Sequence, residues 1–220
     1  AKNLLEAMTS QKKWFPYNKG GRYKKWYGNN EYLVNWENDG YEMKKLAVEK
    51  YNSVTRTIIN IKDFFKRGLT WSSLTSGNIS LRAFDEGFIF DSKGSSMFFE
   101  NDNLRYYILG SLNSKITDLF LKILAPTLDF NIGSIANVPM IINENHAPSI
   151  KQLVLENITL AKLDWDMHET SWDFANSPVL TNKVNGLLSS AYESYKAEVN
   201  GRFTTLKSNE EELNRIFINI

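Results

Sequence analysis

The stretch KKWFPYNKGGRYKKWYGNN, residues 12–30, contains the signals that decide how the first half of the chain folds. Residues 13–17 are rich in aromatic side chains and predict a β-strand. The pair Gly20 and Gly21 and the run Gly28, Asn29, Asn30 predict turns, because glycine and asparagine tolerate backbone conformations that other residues avoid. A strand bounded by such turns indicates a β-rich region.

Outward from this stretch, the same pattern of aromatic and β-branched residues between turn residues predicts strands at 31–36, 69–74, 79–84 and 88–91. A short helix is predicted at residues 43–51. The apolar residues of 102–124 recur at steps of three and four, which predicts a helix with a break near Asn113 and Ser114 and an end before Pro126.

The remainder of the chain is predicted to be helical. One helix starts at Pro148, and a second is predicted from apolar residues at near-heptad spacing from Val184 to Leu206. Asn209, followed by three glutamates, predicts the start of a last helix, because it would cap the helix and the acids complement its dipole. The sequence thus predicts an α+β chain with a mixed, β-rich domain over residues 1–143 and a helical domain over residues 144–220.

Composition excludes several classes of protein. The 220 residues are 42% hydrophobic and 23% charged, as in an ordinary globular chain, and contain no cysteine, so disulfides and thiolate chemistry are excluded. No apolar run is long enough for a membrane helix and the N-terminus lacks the pattern of a signal peptide, which predicts a cytoplasmic protein with no membrane partner. Glycine-rich nucleotide-binding loops and the nucleophile-elbow motif are absent.

Charge is distributed unevenly. Residues 1–110 hold 17 Lys and Arg against 12 Asp and Glu, a net charge of +5, whereas residues 111–220 hold 9 against 13, a net charge of −4, which together give +1. From Lys12 to Trp26 the chain carries six cations and five aromatic residues but no acid. This composition suits a surface that binds phosphates. It also suits a hairpin whose aromatic residues fill the core and whose lysines are solvated.

Two patterns suggest catalytic chemistry only weakly. Asp85, Asp91 and Lys93 resemble the acids and lysine of a Mg²⁺-dependent nuclease, although acid-x-Lys triplets arise often by chance. His146 and His168 are each isolated, and a metal site needs more ligands than they supply.

The order of several motifs resembles one known family. The run KWFPYNKGGRYKKWYGNNEYLVNWENDG at residues 13–40 is similar to the segment that follows the catalytic domain of PglX-type adenine-specific DNA methyltransferases from BREX phage-defence systems. The same order continues through further matching pieces: GLTW at 68–71, GFIFD at 87–91, YILGSLNSK at 107–115, PTLDFNIGSI at 126–135, VP at 138–139, DWD at 164–166, ETSWDF at 169–174 and NEEELNRIF at 209–217. YILGSLNSK and PTLDFNIGSI also resemble target-recognition domains of Taq-type methyltransferases and of type I restriction specificity subunits.

This resemblance implies a division of labour. The family transfers a methyl group from S-adenosylmethionine to adenine N6, with a proline-pair motif that holds the flipped base. No two of the five prolines here are adjacent and the glycine-bearing cofactor motif is absent. The chain is therefore expected to be non-catalytic alone, to bind no cofactor and no metal, and to recognise double-stranded DNA for a catalytic domain in the same parent chain.

Recognition of DNA needs cations on phosphates and amide or guanidinium groups at base edges. The residues predicted to contact DNA are Lys19, Arg22, Lys24, Lys25, Trp26, Asn29, Asn30, Trp71, Arg82 and Lys115, with Asn18 as a further base-edge candidate. The cations from Lys12 to Lys25 and Arg82 are expected to share one concave face. Core roles remain open for Trp26 and Trp71, and a solvated role for Lys115.

The alternative function is a protein-interaction module that docks the methyltransferase to partner defence proteins. The acidic helical half is expected to stay away from DNA and to brace the catalytic domain or bind such partners. Trp165 and Trp172 would mark that interface, since tryptophan often anchors one, or they would be buried between helices.

Overall fold

The computed structural model describes residues 1–181 and 186–220 and confirms the α+β prediction. The strands are β1 Trp14–Asn18, β2 Tyr32–Asn35, β3 Gly68–Trp71, β4 Leu81–Phe84, β5 Ile89–Phe90 and β6 Ser96–Phe98. The helices are α1 Leu4–Thr9, α2 Glu37–Tyr51, α3 Asp102–Leu112, α4 Lys115–Leu124, α5 Ile132–Ala136, α6 Ala147–Asp166, α7 Pro178–Thr181 and α8 Leu188–Asn219, with a 3₁₀ turn at Ile61–Asp63.

The strands form two small sheets of three strands each, in the orders β2-β1-β5 and β4-β3-β6. β1 is antiparallel to β2 and pairs in parallel with β5 at Tyr17 and Asn18. β3 is antiparallel to both of its neighbours. All five strands expected from the sequence are confirmed; β6, whose residues are only half-buried, and the short helices α1 and α5 were not predicted.

The main hydrophobic core lies between the second sheet and the helices. Leu69 of β3, Leu109 of α3, Val154 of α6 and Phe217 of α8 belong to one buried cluster. The core therefore crosses the predicted boundary between residues 143 and 144 without interruption, because the apolar face of α6 covers α3 and the sheet behind it.

A second cluster holds the first sheet to the loops around it. The rings of Phe15 and Phe65 meet edge to face at 5.4 Å, and those of Trp36 and Phe64 at 5.1 Å. Such pairs add about 1 kcal/mol each beyond the area they bury. This cluster fixes β1, and with it the start of the loop that follows.

The predicted break in the helical stretch 102–124 is confirmed, and its cause lies in the second sheet. Asn113, between α3 and α4, donates from its side chain to the backbone oxygen of Leu81 at 3.0 Å and accepts from the Leu81 N–H at 2.9 Å. The side chain of Asn113 thus makes the two hydrogen bonds to Leu81 of β4 that the backbone of a neighbouring strand would otherwise make. It also makes the chain turn at the edge of the sheet.

The prediction of a helix starting at Asn209 is wrong, because α8 runs without a break from Leu188 to Asn219. Asn209 lies inside the helix with 8% exposure, and its amide donates to Glu156 at 2.8 Å and to Asn157 at 3.1 Å on α6. Asparagine suits both a helix cap and a buried hydrogen bond between two helices, so the residue type alone does not distinguish these two roles. Val184, where the preceding helix was predicted to begin, lies outside the described residues.

Residues 24–27 attach the sheets to the helices. The Trp26 N–H donates to the Leu81 oxygen at 2.9 Å and its carbonyl accepts from Ala83 at 2.9 Å, so Trp26 extends the second sheet beside β4. On the other side its indole N–H donates to Glu210 of α8 at 2.7 Å, and Lys25 pairs with the same carboxylate at 3.1 Å. We call these contacts of Lys25 and Trp26 with Glu210 the seam.

The neighbouring residues bind α6 in the same manner. Lys24 forms an ion pair with Asp164 at 3.3 Å and stands 5.1 Å from the centre of the Trp165 ring. Lys162 lies 5.0 Å from the centre of the Tyr27 ring. Burial lowers the pKa of Lys162, but hydrogen bonds to Asp166 and Asp173 outweigh that effect, so its pKa is raised overall.

Within the part of the chain that the structure describes, no helix is long and apolar enough to cross a membrane.

Replacing Glu210 by Ala is expected to lower the free energy of unfolding by about 2 kcal/mol, because it leaves a buried indole N–H and a half-buried ammonium without their acceptor. Glu211→Ala, which removes only an exposed ion pair with Lys207, should change it by about 0.5 kcal/mol or less. Urea unfolding of the two variants measures the difference. Equal effects of the two substitutions would contradict the seam.

Asn209→Ala is expected to cost about 1 kcal/mol, since the lost contacts with α6 outweigh the gain in helix propensity. Asn200→Ala, at an exposed position on the same helix, should be neutral or slightly stabilising. Thermal unfolding followed by circular dichroism gives both values. A stabilised Asn209→Ala variant would show that the buried contacts contribute nothing.

Candidate nucleic-acid interface

Four loops meet at one edge of the two sheets. β1 and β5 are parallel and end together, at Asn18 and Phe90. The loop after β5 reaches the end of β3, where the Ser73 N–H donates to the Lys93 oxygen at 3.1 Å. The loop after β1 reaches the same place, because Gly21 N–H donates to the Ser72 hydroxyl at 2.8 Å.

The fourth loop follows α4. Its Phe130 N–H donates to the Ser73 oxygen at 2.6 Å, and its Leu128 oxygen accepts from Thr75 at 3.0 Å. We call the edge formed by residues 19–22, 72–78, 91–95 and 127–131 the loop rim. Ser73 lies at its centre, because its N–H and its carbonyl bind two different loops.

Two glycines make this close approach possible. A Cβ on Gly94 would lie 2.2 Å from the Asn18 oxygen, and one on Gly20 would lie 2.9 Å from the Lys93 oxygen. Gly20 also has a φ of +85°, which disfavours any other residue. The loops after β1 and β5 therefore touch backbone to backbone.

Three cations of the loop rim are exposed to solvent. Lys19, Arg22 and Lys93 form no ion pair with any described residue. Lys19 lies 5.3 Å from the centre of the Tyr32 ring, which still leaves its ammonium exposed. These three side chains are available to an anion.

Five of the predicted DNA-contacting residues are buried: Trp26, Asn29, Asn30, Trp71 and Arg82. Asn29 donates to the Arg22 carbonyl at 2.9 Å, and the Trp71 indole donates to the Phe130 carbonyl at 2.8 Å. These two side chains hold the loops of the rim in place.

Arg82 is 1% exposed and donates to the Lys24 carbonyl at 3.3 Å. Burial lowers its pKa to about 10. Its Nε has no hydrogen-bond partner among the described residues. Through its hydrogen bond to Lys24, Arg82 thus holds the segment that contains Lys25 and Trp26 of the seam.

The expectation that all the cations of residues 12–25 and Arg82 share one concave face is wrong. Lys13 and Lys19 flank opposite ends of β1, roughly 20 Å apart at about 3.3 Å per residue. Lys13 lies near Glu37 and Glu42, while Lys24 and Lys25 pair with acids of α6 and α8. The acids that receive these cations lie far away in sequence, so spacing could not have revealed the pairing.

Lys115 lies beside the tip of the loop 72–80. It borders a cavity of about 450 Å³ together with Asn78, whose amide donates to Asp118 at 3.1 Å. Burial is the main cause that raises the pKa of Asp118. Because Lys115 borders the same cavity as Asn78, its exposed side chain is near one end of the loop rim.

Asn18 and Ser73 are polar side chains buried at the rim, each 4% exposed. The amide nitrogen of Asn18 and the hydroxyl of Ser73 have no hydrogen-bond partner among the described residues. Sequence reasoning considered Asn18 but missed Ser73, because a serine after a strand has no distinguishing pattern. Asp129 and Asn131, in the loop after α4, were also not singled out from the sequence.

Of the three residues that resembled a nuclease, Asp91 has a structural role, whereas Asp85 and Lys93 are exposed. Asp91 accepts from the backbone N–H groups of Lys93 and Gly94 at 2.8 Å, and from the Tyr17 hydroxyl at 2.8 Å. Burial, followed by this bond to Asp91, raises the pKa of Tyr17. Asp85 lies exposed in the turn after β4.

Histidine and the acids form no metal centre: across residues 1–181 and 186–220 no group of three potential ligands comes together, and both His146 and His168 are exposed. Trp165 is 5% exposed and packs between α6 and residues 24–28, whereas Trp172 is 49% exposed and stacks on Phe88 at 6.5 Å. Trp165 is thus a packing residue.

No protein-family model matches the chain. Two characterised relatives do. The chain is 39% identical over 213 residues to the adenine-specific methyltransferase PglX of Lacticaseibacillus casei strain Zhang, which covers 95% of the chain and 18% of the relative. It is 36% identical over 207 residues to the adenine-specific methyltransferase BrxX of Escherichia coli O9:H4 strain HS, which covers 93% of the chain and 16% of the relative.

The chain thus spans less than a fifth of the length of these relatives. Identity at this level over nearly the whole chain indicates common ancestry. The protein is therefore homologous, along almost its entire length, to one portion of the PglX and BrxX adenine-specific methyltransferases.

Proposed function

We propose that this chain recognises double-stranded DNA as one part of an adenine-specific DNA methyltransferase of a BREX phage-defence system. The observation that carries the proposal is the loop rim, where four loops from two sheets and α4 converge with exposed Lys19, Arg22 and Lys93. The homology to PglX and BrxX supports DNA as the substrate context.

The geometry of the rim suits contact with a duplex. Its loops are fixed to one another by backbone hydrogen bonds and carry amides as well as cations; Asn78 and Asn131 are exposed there. Cations bind phosphates and fix the register of the protein, while amides can pair with base edges. Rigid loops hold such groups in place before binding, which lowers the entropic cost of association.

The helices α6 and α8 have a different role in this proposal. The carboxylates Asp164 and Glu210 pair with Lys24 and Lys25, so these two cations hold the segment that follows residues 19–22 against α6 and α8 instead of contacting phosphate directly. DNA would approach from the rim, away from the acidic helical half.

Methyl transfer is assigned in this proposal to regions of the parent protein outside this chain, where S-adenosylmethionine would bind. Among the described residues, the only parallel pairings are the two residues shared by β1 and β5 and the single bridge between Trp26 and Arg82, which is unlike the extended parallel sheet of a Rossmann-like domain. The chain would select the site, and the catalytic domain would act on it.

Binding of the chain to random-sequence duplex DNA is expected to weaken steeply with salt. Lys19→Ala and Arg22→Ala should each lower affinity and reduce the slope of log K against log salt by about one, because each removes one phosphate contact. Fluorescence anisotropy at several salt concentrations measures both quantities.

Lys207→Ala serves as the matched control, since Lys207 is exposed on α8 and paired only with Glu211. It should leave the slope unchanged. Lys24→Ala and Lys25→Ala are expected to lower thermal stability first, and to affect the slope less than Lys19→Ala does. Equal slopes for Lys19→Ala, Arg22→Ala and the parent chain, or no binding at low salt, would refute the recognition surface.

A second candidate, the docking of partner defence proteins, is favoured by exposed apolar side chains on α7 and in the first half of α8. Leu180, Leu187, Leu188, Tyr192 and Phe203 are each at least half exposed. Residues of this kind anchor protein interfaces. Loss of a partner from the parent methyltransferase after Tyr192→Ser and Phe203→Ser, with duplex binding unchanged, would assign that role to the helices.

A further inference from the structure

The positive charge of the first half of the chain is concentrated in residues 44–67, a segment that the loop rim does not include. This segment holds 7 Lys and Arg against 2 Asp and Glu, a net charge of +5. The other residues of 1–110 hold 10 Lys and Arg against 10 Asp and Glu, so they contribute no net charge. A local excess of positive charge attracts polyanions, so this segment is a candidate contact surface.

Acids of the protein pair with four of the seven cations in this segment. The pairs are Lys44 with Asp39, Lys45 with Glu49, Lys66 with Asp63 and Arg67 with Asp102. The other three cations, Lys50, Arg56 and Lys62, are exposed and form no ion pair with any described residue. We call residues 50–62, which contain these three side chains, the basic loop.

Two of the free cations meet at one tyrosine ring. The Lys50 ammonium and the Arg56 guanidinium each lie 5.3 Å from the centre of the Tyr51 ring, so the two cations are within about 11 Å of each other, twice that distance. Tyr51 is itself 38% exposed, so a ligand can reach all three side chains. Successive phosphates of one DNA strand advance about 3.4 Å along the helix axis, so two cations at this separation can contact nearby phosphates of the same strand.

The backbone of the basic loop is anchored to the first sheet. The Ile58 side chain is 5% exposed and belongs to the hydrophobic cluster beside that sheet. Its N–H donates to the Val54 oxygen at 3.0 Å. Asn52 and Asn60 have positive φ values of 51° and 54°, which asparagine adopts more readily than most residues. The cations therefore extend from a backbone that is ordered before binding, which lowers the entropic cost of association.

The basic loop lies next to the loop rim. Asn60 lines the same cavity as Lys93, and the Phe64 ring meets the Phe90 ring of β5 at 5.2 Å. Four residue steps lead from Arg56 to Asn60, so these two residues are no more than about 14 Å apart at 3.3–3.6 Å per residue. That distance corresponds to about four base pairs of duplex. The free cations of the basic loop therefore continue the exposed cations of the rim.

We propose that the basic loop binds the phosphates of the duplex that flanks the base pairs facing the loop rim. Lys50 and Arg56 contact phosphates of one strand, and Lys62 contacts a phosphate between them and the rim. Such contacts carry no sequence information, but they add affinity and fix the register of the chain on the duplex. This inference rests on the proposed recognition of DNA, because both surfaces bind the same duplex.

Fluorescence anisotropy with a random-sequence duplex at several salt concentrations tests the contribution of each cation. Lys50→Ala, Arg56→Ala and Lys62→Ala should each reduce the slope of log K against log salt by about one, because each removes one phosphate contact. A change of one in the slope corresponds to about tenfold in affinity between 1 M and 0.1 M salt.

Lys45→Ala is the matched control, since Lys45 lies on α2 one turn before the basic loop and is already paired with Glu49 at 3.8 Å. It should leave the slope unchanged. Arg56→Lys keeps the charge and should also keep the slope. A loss of melting temperature in Arg56→Ala and Arg56→Lys alike, with the slope of the unsubstituted chain in both, would show that Arg56 has a structural role only.

Crosslinking tests the position of the duplex directly. The chain contains no cysteine, so Thr55→Cys places a single thiol beside Arg56 while every cation is retained, and Thr204→Cys places one on an exposed position of α8. With a thiol-attached photocrosslinker, we expect the Thr55→Cys variant to form a covalent adduct with duplex DNA in at least fivefold higher yield. Equal yields from the two variants would show that the duplex does not lie on the basic loop.

The salt series separates failure of this inference from failure of the recognition function. Slopes of Lys50→Ala, Arg56→Ala and Lys62→Ala equal to that of Lys45→Ala would refute the basic loop as a contact surface. If Lys19→Ala and Arg22→Ala still reduced the slope in the same series, the recognition function would stand without it. Absence of duplex binding by the unsubstituted chain at low salt would refute both.

Discussion

The bond between the indole N–H of Trp26 and the Glu210 carboxylate, at 2.7 Å, is the contact on which the arrangement of the two halves depends. Trp26 is part of the second sheet through its backbone and part of the helical layer through its side chain. A hydrogen bond from a buried donor to a charged acceptor contributes about 1.5–3 kcal/mol. Lys25 pairs with the same carboxylate. Two neighbouring side chains therefore fix the position of the segment after β1 relative to α8.

That constraint also decides which cations face solvent. The acids of α6 and α8 bind the second half of the basic segment, and the first half of the loop turns back over β3 at Gly20 and Gly21. Lys19 and Arg22 therefore remain on the surface beside Lys93, while Lys24 and Lys25 do not.

The loop rim brings exposed cations from separate loops to one edge of the two sheets. Lys19 and Arg22 follow β1, and Lys93 follows β5. The backbone of Ser73 binds the loops that hold Lys93 and Phe130, so the loops have fixed positions relative to one another. Cations held in this way suit the phosphates of a duplex.

The sequence by itself determined the elements with strong local signals: the aromatic strands, the turns at paired glycines, the helix after Pro148 and the break at Asn113. The sequence also indicated the homology, because its motifs occur in the same order as in the PglX-type methyltransferases that they resemble. It did not determine the roles of Lys24, Lys25, Arg82 or Asn209, whose partners are 52 or more residues away. Local periodicity describes which side of an element is apolar, but a salt bridge or a buried amide contact depends on which distant element packs against it. Only the tertiary structure therefore decided which cations are paired with acids and which polar side chains are buried.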